Sequence, residues 1–135
     1  AARRTQGIYG MRQLLDTHIV LWFLNGEKLS PELCERIVSG TNIVSVASLW
    51  EVAIKMNIGK YDFIGGFSAF CELIKSNDFE IMPIKNEHMQ GVFNLPFIHK
   101  DPFDRLIIAT AKYEAIPLIT ADEMIHQYDV EWVWV

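Results

Sequence analysis

Short apolar runs alternate along the chain with longer segments in which apolar residues recur at helical spacing. The short runs predict β-strands at 12–15, 42–44, 80–83, 118–120 and 131–135. The longer segments predict helices at 17–25, 31–39, 46–57, 67–74, 86–94 and 103–115. Strands that alternate with helices favour a parallel sheet whose two faces are both covered. The pattern therefore predicts an α/β fold.

Local signals place the ends of several of these elements. Gly26 and Gly40 each follow a helical segment, where glycine commonly ends a helix. Ser30-Pro31 supplies a capping hydroxyl followed by proline at the first helical position. Ser45 comes directly after the second predicted strand and is expected to cap the third helix.

The chain has 135 residues, half of them hydrophobic, which suits one domain with a sizeable core. We predict that this domain spans residues 11–135. Residues 1–10 lack the apolar centre of a signal peptide and precede Met11, so we interpret them as a leader or an added extension. No apolar run approaches the roughly 20 residues of a membrane span, and no membrane association is expected.

The charge balance restricts the kinds of nucleic-acid protein that the chain could be. Twelve basic and 17 acidic residues give a formal charge of −5. A protein that coats nucleic acid is normally basic, so that class is disfavoured. A nuclease is not disfavoured, because carboxylates gathered around a metal ion lower the net charge. Two distant cysteines, Cys34 and Cys71, are typical of unbonded thiols in a reducing cytoplasm.

Four acidic residues lie at strand-to-helix junctions or on the helices that leave them: Asp16, Glu51, Asp104 and Asp122. In a parallel sheet, sites form outside the carboxyl ends of the strands, where Asp16 and Asp122 fall by chain order. Carboxylates without partner cations repel one another, whereas oxygen-rich acidic sites hold hard cations such as Mg²⁺ or Mn²⁺. Metal-dependent phosphodiester chemistry is therefore the leading hypothesis.

Each carboxylate also has an ordinary structural interpretation. Asp16 and Asp122 could cap the helices that follow them. Glu51 could form an ion pair with Lys55, one helical turn later. These interpretations are compatible with a site role, because a carboxylate has a second oxygen to offer.

Asp104 competes with Asp101, three residues earlier, for the same position on one helix face. Asp101 could instead be favoured at the positive end of the helix. Arg105 could orient an acidic neighbour or contact phosphate, or it could form an ordinary surface ion pair. The hydroxyls of Thr17, Ser48 and Thr120 are candidate supporting groups, since each lies beside one of the acidic positions.

Several segments taken together resemble the PIN-domain family and, within it, the VapC-like toxins of toxin–antitoxin pairs. The matching segments are 14–18, 45–51, 59–60, 95–109 and 118–122. The run His-Lys-Asp-Pro-Phe-Asp-Arg at 99–105 is the most specific of these markers. All four acidic positions fit the family pattern, which assigns the metal carboxylate to Asp104 and not to Asp101.

The resemblance implies a three-layer α/β/α sandwich with a short central parallel sheet. It also implies a cytoplasmic Mg²⁺- or Mn²⁺-dependent endoribonuclease that is inhibited by a cognate antitoxin protein. Metal-binding and catalytic roles then fall on Asp16, Glu51, Asp104 and Asp122, with RNA as the substrate. A catalytically inactive PIN-like module that binds RNA or protein is the alternative.

Histidine and aromatic residues admit further roles. His18 could act as a base and His99 could contact phosphate, although packing roles are favoured for both. Five aromatic residues could stack on bases: Trp22, Trp50, Phe63, Phe67 and Phe70. Core packing is favoured for Trp22, and a partner groove is considered for Phe67 and Phe70. Trp132 and Trp134 alternate in the last strand, and one face of that strand could form a homodimer.

Other metal-binding or nucleotide-binding α/β proteins fit the sequence less well. A phosphoacceptor receiver domain would need adjacent acidic residues after the first strand, and these are missing. A haloacid-dehalogenase-like phosphatase needs Asp-x-Asp there, but His18 stands two residues after Asp16. A dinucleotide-binding Rossmann domain needs a Gly-x-Gly-x-x-Gly loop, which the chain lacks.

Overall fold

A computed structural model describes residues 10–27 and 29–134. In this part of the chain the strands are β1 (Arg12–Leu15), β2 (Thr41–Ser45), β3 (Glu80–Met82), β4 (Leu118–Thr120) and β5 (Trp132–Trp134). The helices are α1 (Thr17–Asn25), α2 (Pro31–Ser39), α3 (Val46–Asn57), α4 (Gly66–Ser76), α5 (Asn86–Asn94) and α6 (Pro102–Glu114). A short 3-10 helix covers Glu123–Gln127. The predicted order of elements is confirmed, with boundaries that match at most ends and differ by one or two residues at the others.

The five strands form one parallel sheet in the order β3-β2-β1-β4-β5. The chain moves outward from β1 through β2 to β3, then returns to place β4 on the other side of β1. This reversal creates a crevice at the carboxyl ends of β1 and β4, the place where α/β folds usually bind ligands. Asp16 and Asp122 follow these two neighbouring strands.

Two apolar clusters, one on each face of the sheet, make the protein an α/β/α sandwich. Leu15 and Ile119 point into the cluster formed with α1–α4, whereas the preceding residues Leu14 and Leu118 point into the cluster formed with α5 and α6. Alternation along a strand explains this division, because successive side chains face opposite sides of a sheet. The short strands are thus buried on both faces, as in other parallel sheets.

Helix ends follow the local chemistry that the sequence suggests. The Ser30 hydroxyl accepts a hydrogen bond from the Leu33 amide, and Ser45 does the same for Ala47. Gly26 ends α1 in the left-handed conformation, with φ of 69°. The predicted start of α6 was one residue late, since Pro102 is its first residue and Asp101 caps it.

Other sequence predictions have mixed outcomes. Phe70 is fully buried in the core, so the idea that it lines a partner groove is wrong. Cys34 and Cys71 are half-buried and not disulfide-bonded. No helix in the described ranges is long and apolar enough to cross a membrane. The interpretation of residues 1–10 concerns a segment of which 1–9 lie outside the described residues.

Candidate metal centre

An acidic cavity opens at the carboxyl edge of the sheet, at the crevice between β1 and β4. Its volume is about 280 Å³, and its lining consists of Asp16, His18, Trp22, Asp104, Ala121 and Asp122. Three of the four predicted carboxylates therefore meet in one cavity. They come from three separate parts of the chain: the end of β1, the first turn of α6 and the segment after β4.

Asp16 is the most deeply buried of these three carboxylates, with 4% of its surface exposed. Burial raises the pKa of its carboxyl above the usual 3.8, and the nearby Glu51 raises it further. The Thr120 hydroxyl donates a hydrogen bond of 2.8 Å to Asp16 Oδ2, which partly offsets the burial. The Thr120 oxygen also accepts a hydrogen bond from the Asp122 amide at 3.0 Å. One hydroxyl therefore links the segment after β1, at Asp16, to the segment after β4, at Asp122.

His99 joins the other two carboxylates of the cavity. Its Nε2 lies 2.6 Å from Asp122 Oδ2 and 3.1 Å from Asp104 Oδ2. Nδ1 accepts a hydrogen bond from the Asp101 amide at 3.1 Å, so in the neutral ring the proton resides on Nε2. The imidazole therefore donates to the carboxylates and fixes their orientation.

This tautomer bears on which atoms could hold a metal ion. One ligand atom from each of His99, Asp104 and Asp122 lies within 4.8 Å of the others, a spacing that would suit a cation. A protonated Nε2 cannot ligate, however, because its lone pair carries the hydrogen. We therefore assign the ligand role to carboxylate oxygens and treat His99 as the residue that positions them.

Asp104 is the second carboxyl of the cavity with a raised pKa. Burial raises its pKa to about 8, and repulsion by Asp16, Asp101, Glu51 and Asp122 adds to the effect. Asp101 instead caps the start of α6, since its Oδ1 accepts hydrogen bonds from the amides of Phe103 and Asp104 at 2.8 and 3.1 Å. The competition between the two residues thus resolves structurally, with Asp101 as the helix cap and Asp104 in the cavity.

Glu51 lies on α3 and does not line the cavity, yet it is close enough to raise the pKa of both Asp16 and Asp104. Its Oε2 accepts a hydrogen bond of 2.7 Å from Lys55, which is the ion pair considered from the sequence. The Tyr61 hydroxyl approaches the same oxygen at 3.5 Å. The second oxygen, Oε1, is buried and has no hydrogen-bond partner among the described residues.

The candidate supporting residues divide into two groups. Thr17 donates a hydrogen bond of 2.8 Å to Ser48, which fastens α1 to α3 beside the carboxylates, and Thr120 contacts Asp16 directly. Arg105 instead donates to the backbone carbonyls of residues 92, 96 and 99 at 3.1–3.2 Å, with no carboxylate partner among the described residues. It shapes the segment that carries His99, so neither the ion-pair nor the acid-orienting interpretation matches its contacts.

Sequence reasoning gave too little weight to His99 and missed Tyr61 altogether. The signal for His99 was present in the run at 99–105, where the histidine lies two residues before Asp101 and five before Asp104. Tyr61 carries no such signal, because it follows α3 in a turn and reaches the site only through the tertiary fold.

The residues present fit a hard divalent cation. Buried carboxyls with raised pKa values and an unpaired buried carboxylate oxygen both indicate negative charge without its counter-ion. The ligands offered are carboxylate oxygens, which Mg²⁺ and Mn²⁺ prefer. Asp16, Asp104 and Asp122 would hold such an ion directly, and Glu51 Oε1 is the remaining candidate oxygen.

Comparison with known proteins agrees with this architecture. The family model for the PIN domain matches residues 14–131. A search of curated protein sequences gives no significant match.

Several solved structures share the fold. A chain of VapBC2 from Rickettsia felis, solved with a DNA fragment from its promoter, has a TM-score of 0.72 and 17% identity over 91% of this chain and 98% of that one. A chain of DNA-bound VapBC from Salmonella typhimurium has a TM-score of 0.69 and 14% identity, covering 91% and 97%. A toxin–antitoxin complex from Klebsiella pneumoniae gives 0.63 and 20%, covering 90% and 95%. With a family model that spans most of its length and an acidic pocket at the end of its sheet, this chain belongs to the PIN domain family.

Proposed function

We propose that this protein is a metal-dependent endoribonuclease and the toxin of a toxin–antitoxin pair. The observation that carries the proposal is the convergence of Asp16, Asp104 and Asp122 on one cavity, with carboxyl pKa values raised at the first two. Such a site is electrostatically unfavourable until a cation enters it. Membership of the PIN domain family and the likeness to chains of toxin–antitoxin complexes support the biological role.

The chain's own groups prepare the site for phosphodiester hydrolysis. His99 holds Asp104 and Asp122 in a fixed relative orientation, and Thr120 does the same for Asp16. The Thr17–Ser48 contact keeps α3, and with it Glu51, against α1. When bound, Mg²⁺ or Mn²⁺ would supply a Lewis acid for the phosphate and lower the pKa of an attacking water.

The proposed biological partners are an RNA substrate and a cognate antitoxin, both in the cytoplasm. The solved structure from Klebsiella pneumoniae is named as a toxin–antitoxin complex, and 95% of its matched chain is covered by this one. The acidic cavity favours a basic side chain on the part of the partner that enters it.

The test of the proposed function is cleavage of total bacterial RNA by the purified protein freed of any partner. We expect discrete cuts that need Mn²⁺ or Mg²⁺ and disappear in the Asp16→Asn variant, because asparagine cannot supply an anionic ligand. Sequencing of the new RNA ends would report the target. Soluble protein that binds Mn²⁺ but leaves every RNA intact would favour the inactive binding module.

We propose that the protein forms a homodimer and that its interface is the apolar surface of α3, α5 and α6. Large exposed apolar side chains on these helices include Trp50, Met89 and Phe93. An almost wholly apolar cavity of about 280 Å³, lined partly by Trp50, Met89 and Phe103, lies within the same surface. The last strand is a weaker candidate, because the Trp132 ring stacks on His126 at 3.7 Å and the Trp134 side chain lies outside the described residues.

Phe93→Glu should convert the dimer into a monomer, because a charge would replace a side chain that is 83% exposed on this surface. Light scattering coupled to size-exclusion chromatography measures the mass. Val38→Glu is the matched control, since Val38 is 71% exposed but lies on α2. A dimer that persists in the Phe93 variant, or a monomeric wild-type protein, would contradict the placement.

A further inference from the structure

A second cavity lies between α5 and α6, away from the acidic cavity, and is called the α5–α6 cavity below. Its volume is about 400 Å³, against about 280 Å³ for the acidic cavity. The two cavities share no lining residue, since this one is lined by Glu87, Gln90, Gly91, Asn94, Leu95, Ala109, Lys112 and Tyr113. Tyr113 comes nine residues after Asp104 on α6, which places it about 13 Å further along the helix axis.

The residues of α5 that line the α5–α6 cavity share one face of the helix. Glu87, Gln90 and Asn94 are spaced three and four residues apart, so their side chains project in the same direction. Met89 and Val92, which line the apolar cavity within the proposed dimer surface, lie on the opposite side of α5. A homodimer formed through that surface leaves the α5–α6 cavity open to solvent.

The floor of the α5–α6 cavity is apolar and consists of small groups. Gly91 lies inside α5, where glycine is unfavourable relative to alanine. A Cβ at this position would lie 3.1 Å from the Cβ of Ala109, so the glycine lets the two helices approach closely. Leu95 and Ala109 are both buried beside it. The missing side chain leaves room for a flat ligand over the contact between the helices.

An amide pair at the wall of the cavity can recognise the edge of a heterocycle. Gln90 Nε2 donates a hydrogen bond of 3.5 Å to Asn94 Oδ1. Gln90 Oε1 and Asn94 Nδ2 form no further hydrogen bond with the described residues. One acceptor and one donor are therefore available on neighbouring turns. Adenine carries an amino group next to a ring nitrogen, the edge that asparagine and glutamine recognise in nucleic acids.

The Tyr113 ring gives the cavity an aromatic wall. The residue is 53% exposed, yet its ring is held from behind by His88 and Lys85. The His88 ring meets it edge-on with centroids 5.7 Å apart, and the Lys85 ammonium lies 5.9 Å from its centroid. Glu114 Oε2 fixes both partners, at 2.7 Å from Lys85 Nζ and 2.8 Å from His88 Nε2. A ring held in this way is preorganised for stacking on a base.

We infer that the α5–α6 cavity binds adenosine monophosphate (AMP) as a free small molecule. The base stacks on Tyr113 and presents its edge to Gln90 and Asn94. Lys112 supplies a cation for the phosphate, and Glu87 supplies a carboxylate that accepts from the ribose hydroxyls. The volume lies within the roughly 300 to 1,000 Å³ that is usual for small-molecule sites. The inference goes beyond the proposed ribonuclease function and does not depend on it.

Isothermal titration calorimetry of the purified protein with AMP tests the site. EDTA in the buffer keeps metal out of the acidic cavity, so the phosphate cannot bind there through an ion. We expect one AMP per chain with a dissociation constant below about 1 mM. Inosine monophosphate carries an oxygen in place of the amino group and should bind at least about tenfold more weakly, because Gln90 Oε1 then faces another acceptor.

Variants of the lining residues locate the binding. Gln90→Leu and Tyr113→Leu should each weaken AMP binding roughly tenfold, the value of one base-edge contact or one stacked base. Tyr113→Phe should retain it, because it keeps the ring. The wild type should prefer AMP to adenosine, and Lys112→Met should bind the two equally. Gln127→Leu is the matched control, since Gln127 is exposed on the 3-10 helix, and it should bind AMP as the wild type does.

Several outcomes would overturn the site. No binding of AMP at millimolar concentration, equal binding of inosine monophosphate, or leucine variants at Gln90 and Tyr113 that bind like the wild type would each refute it. Binding that is lost only in Asp104→Asn would place the nucleotide in the acidic cavity and refute it as well. A protein that cuts RNA without binding AMP loses this site and keeps the proposed function. One that binds AMP and cuts no RNA keeps the site and loses the function.

Discussion

Replacing Asp104 with asparagine should abolish RNA cleavage and at the same time make the metal-free protein more stable. The loss of cleavage follows from the loss of an anionic ligand oxygen. Residues that only support a ligand typically cost 10- to 100-fold when changed, so a direct ligand should cost at least about 100-fold. The gain in stability follows from the pKa of about 8 at Asp104, which marks a carboxylate that burial and four neighbouring acids disfavour.

The stability gain should depend on pH in a defined direction. The folded pKa of Asp104 is raised to about 8 from 3.8, so between these values the folded protein holds a proton that the unfolded chain has lost. The free energy of unfolding of the metal-free wild type therefore falls as pH rises from about 4 to about 8. Asparagine does not titrate, so the advantage of the variant should grow across this interval and then level off.

Thermal melting in a metal chelator at several pH values measures this advantage, and cleavage of RNA in Mn²⁺ measures the catalytic loss. Asp101→Asn is the matched control, because asparagine also caps helices and Asp101 already serves as the cap of α6. The control should keep most of the cleavage activity. Full activity in the Asp104 variant would remove that residue from the metal centre, whatever the melting curves show.

The order of strands and helices was predictable from the sequence because each element carries its own local signal. Apolar runs such as Leu14-Leu15 indicate strands buried on both faces, and Ser30-Pro31 or Gly26 mark helix ends within a few residues. The convergence of Asp16 and Asp122 was predictable for the same reason, since both follow strands and parallel strands end at one edge. The sequence did not show whether each carboxylate would serve as a site residue, a helix cap or the partner of an ion pair.

Those roles depend on tertiary contacts that no spacing encodes. The sequence allowed Glu51 to be either a site residue or the partner of Lys55, and the structure pairs one oxygen with Lys55 while leaving the other unpaired. Arg105 belongs to the run at 99–105, the most specific marker in the sequence. Its guanidinium nevertheless donates its hydrogen bonds to backbone carbonyls. Tyr61 reaches His18, 43 positions away, only after α1 and α3 have packed together.

Manganese should raise the melting temperature of the protein, and the shift should be larger at pH 8 than at pH 6. An ion present at a hundred times its dissociation constant stabilises the native state by about 2.7 kcal/mol. For a chain of 135 residues this corresponds to roughly 10 °C. The dependence on pH arises because an ion can bind only after the carboxyls have released their protons.

The size of the pH effect follows from the raised acidities. Below its pKa of about 8, Asp104 is mostly protonated in the metal-free fold. Each proton that must leave weakens the apparent metal affinity roughly tenfold per pH unit. The pKa of Asp16 is also raised, which steepens the dependence wherever both carboxyls are protonated. Millimolar Mn²⁺ that saturates the site at pH 8 should therefore produce a much smaller shift at pH 6.

Differential scanning fluorimetry with a titration of MnCl₂ at each pH gives both the shift and the apparent affinity. The Asp104→Asn variant is the internal control, because its response should be smaller than that of the wild type at both pH values. Choline chloride at matched ionic strength separates site binding from general screening of the carboxylates. Equal shifts at pH 6 and pH 8, or a variant that responds like the wild type, would show that the ion binds somewhere other than this cavity.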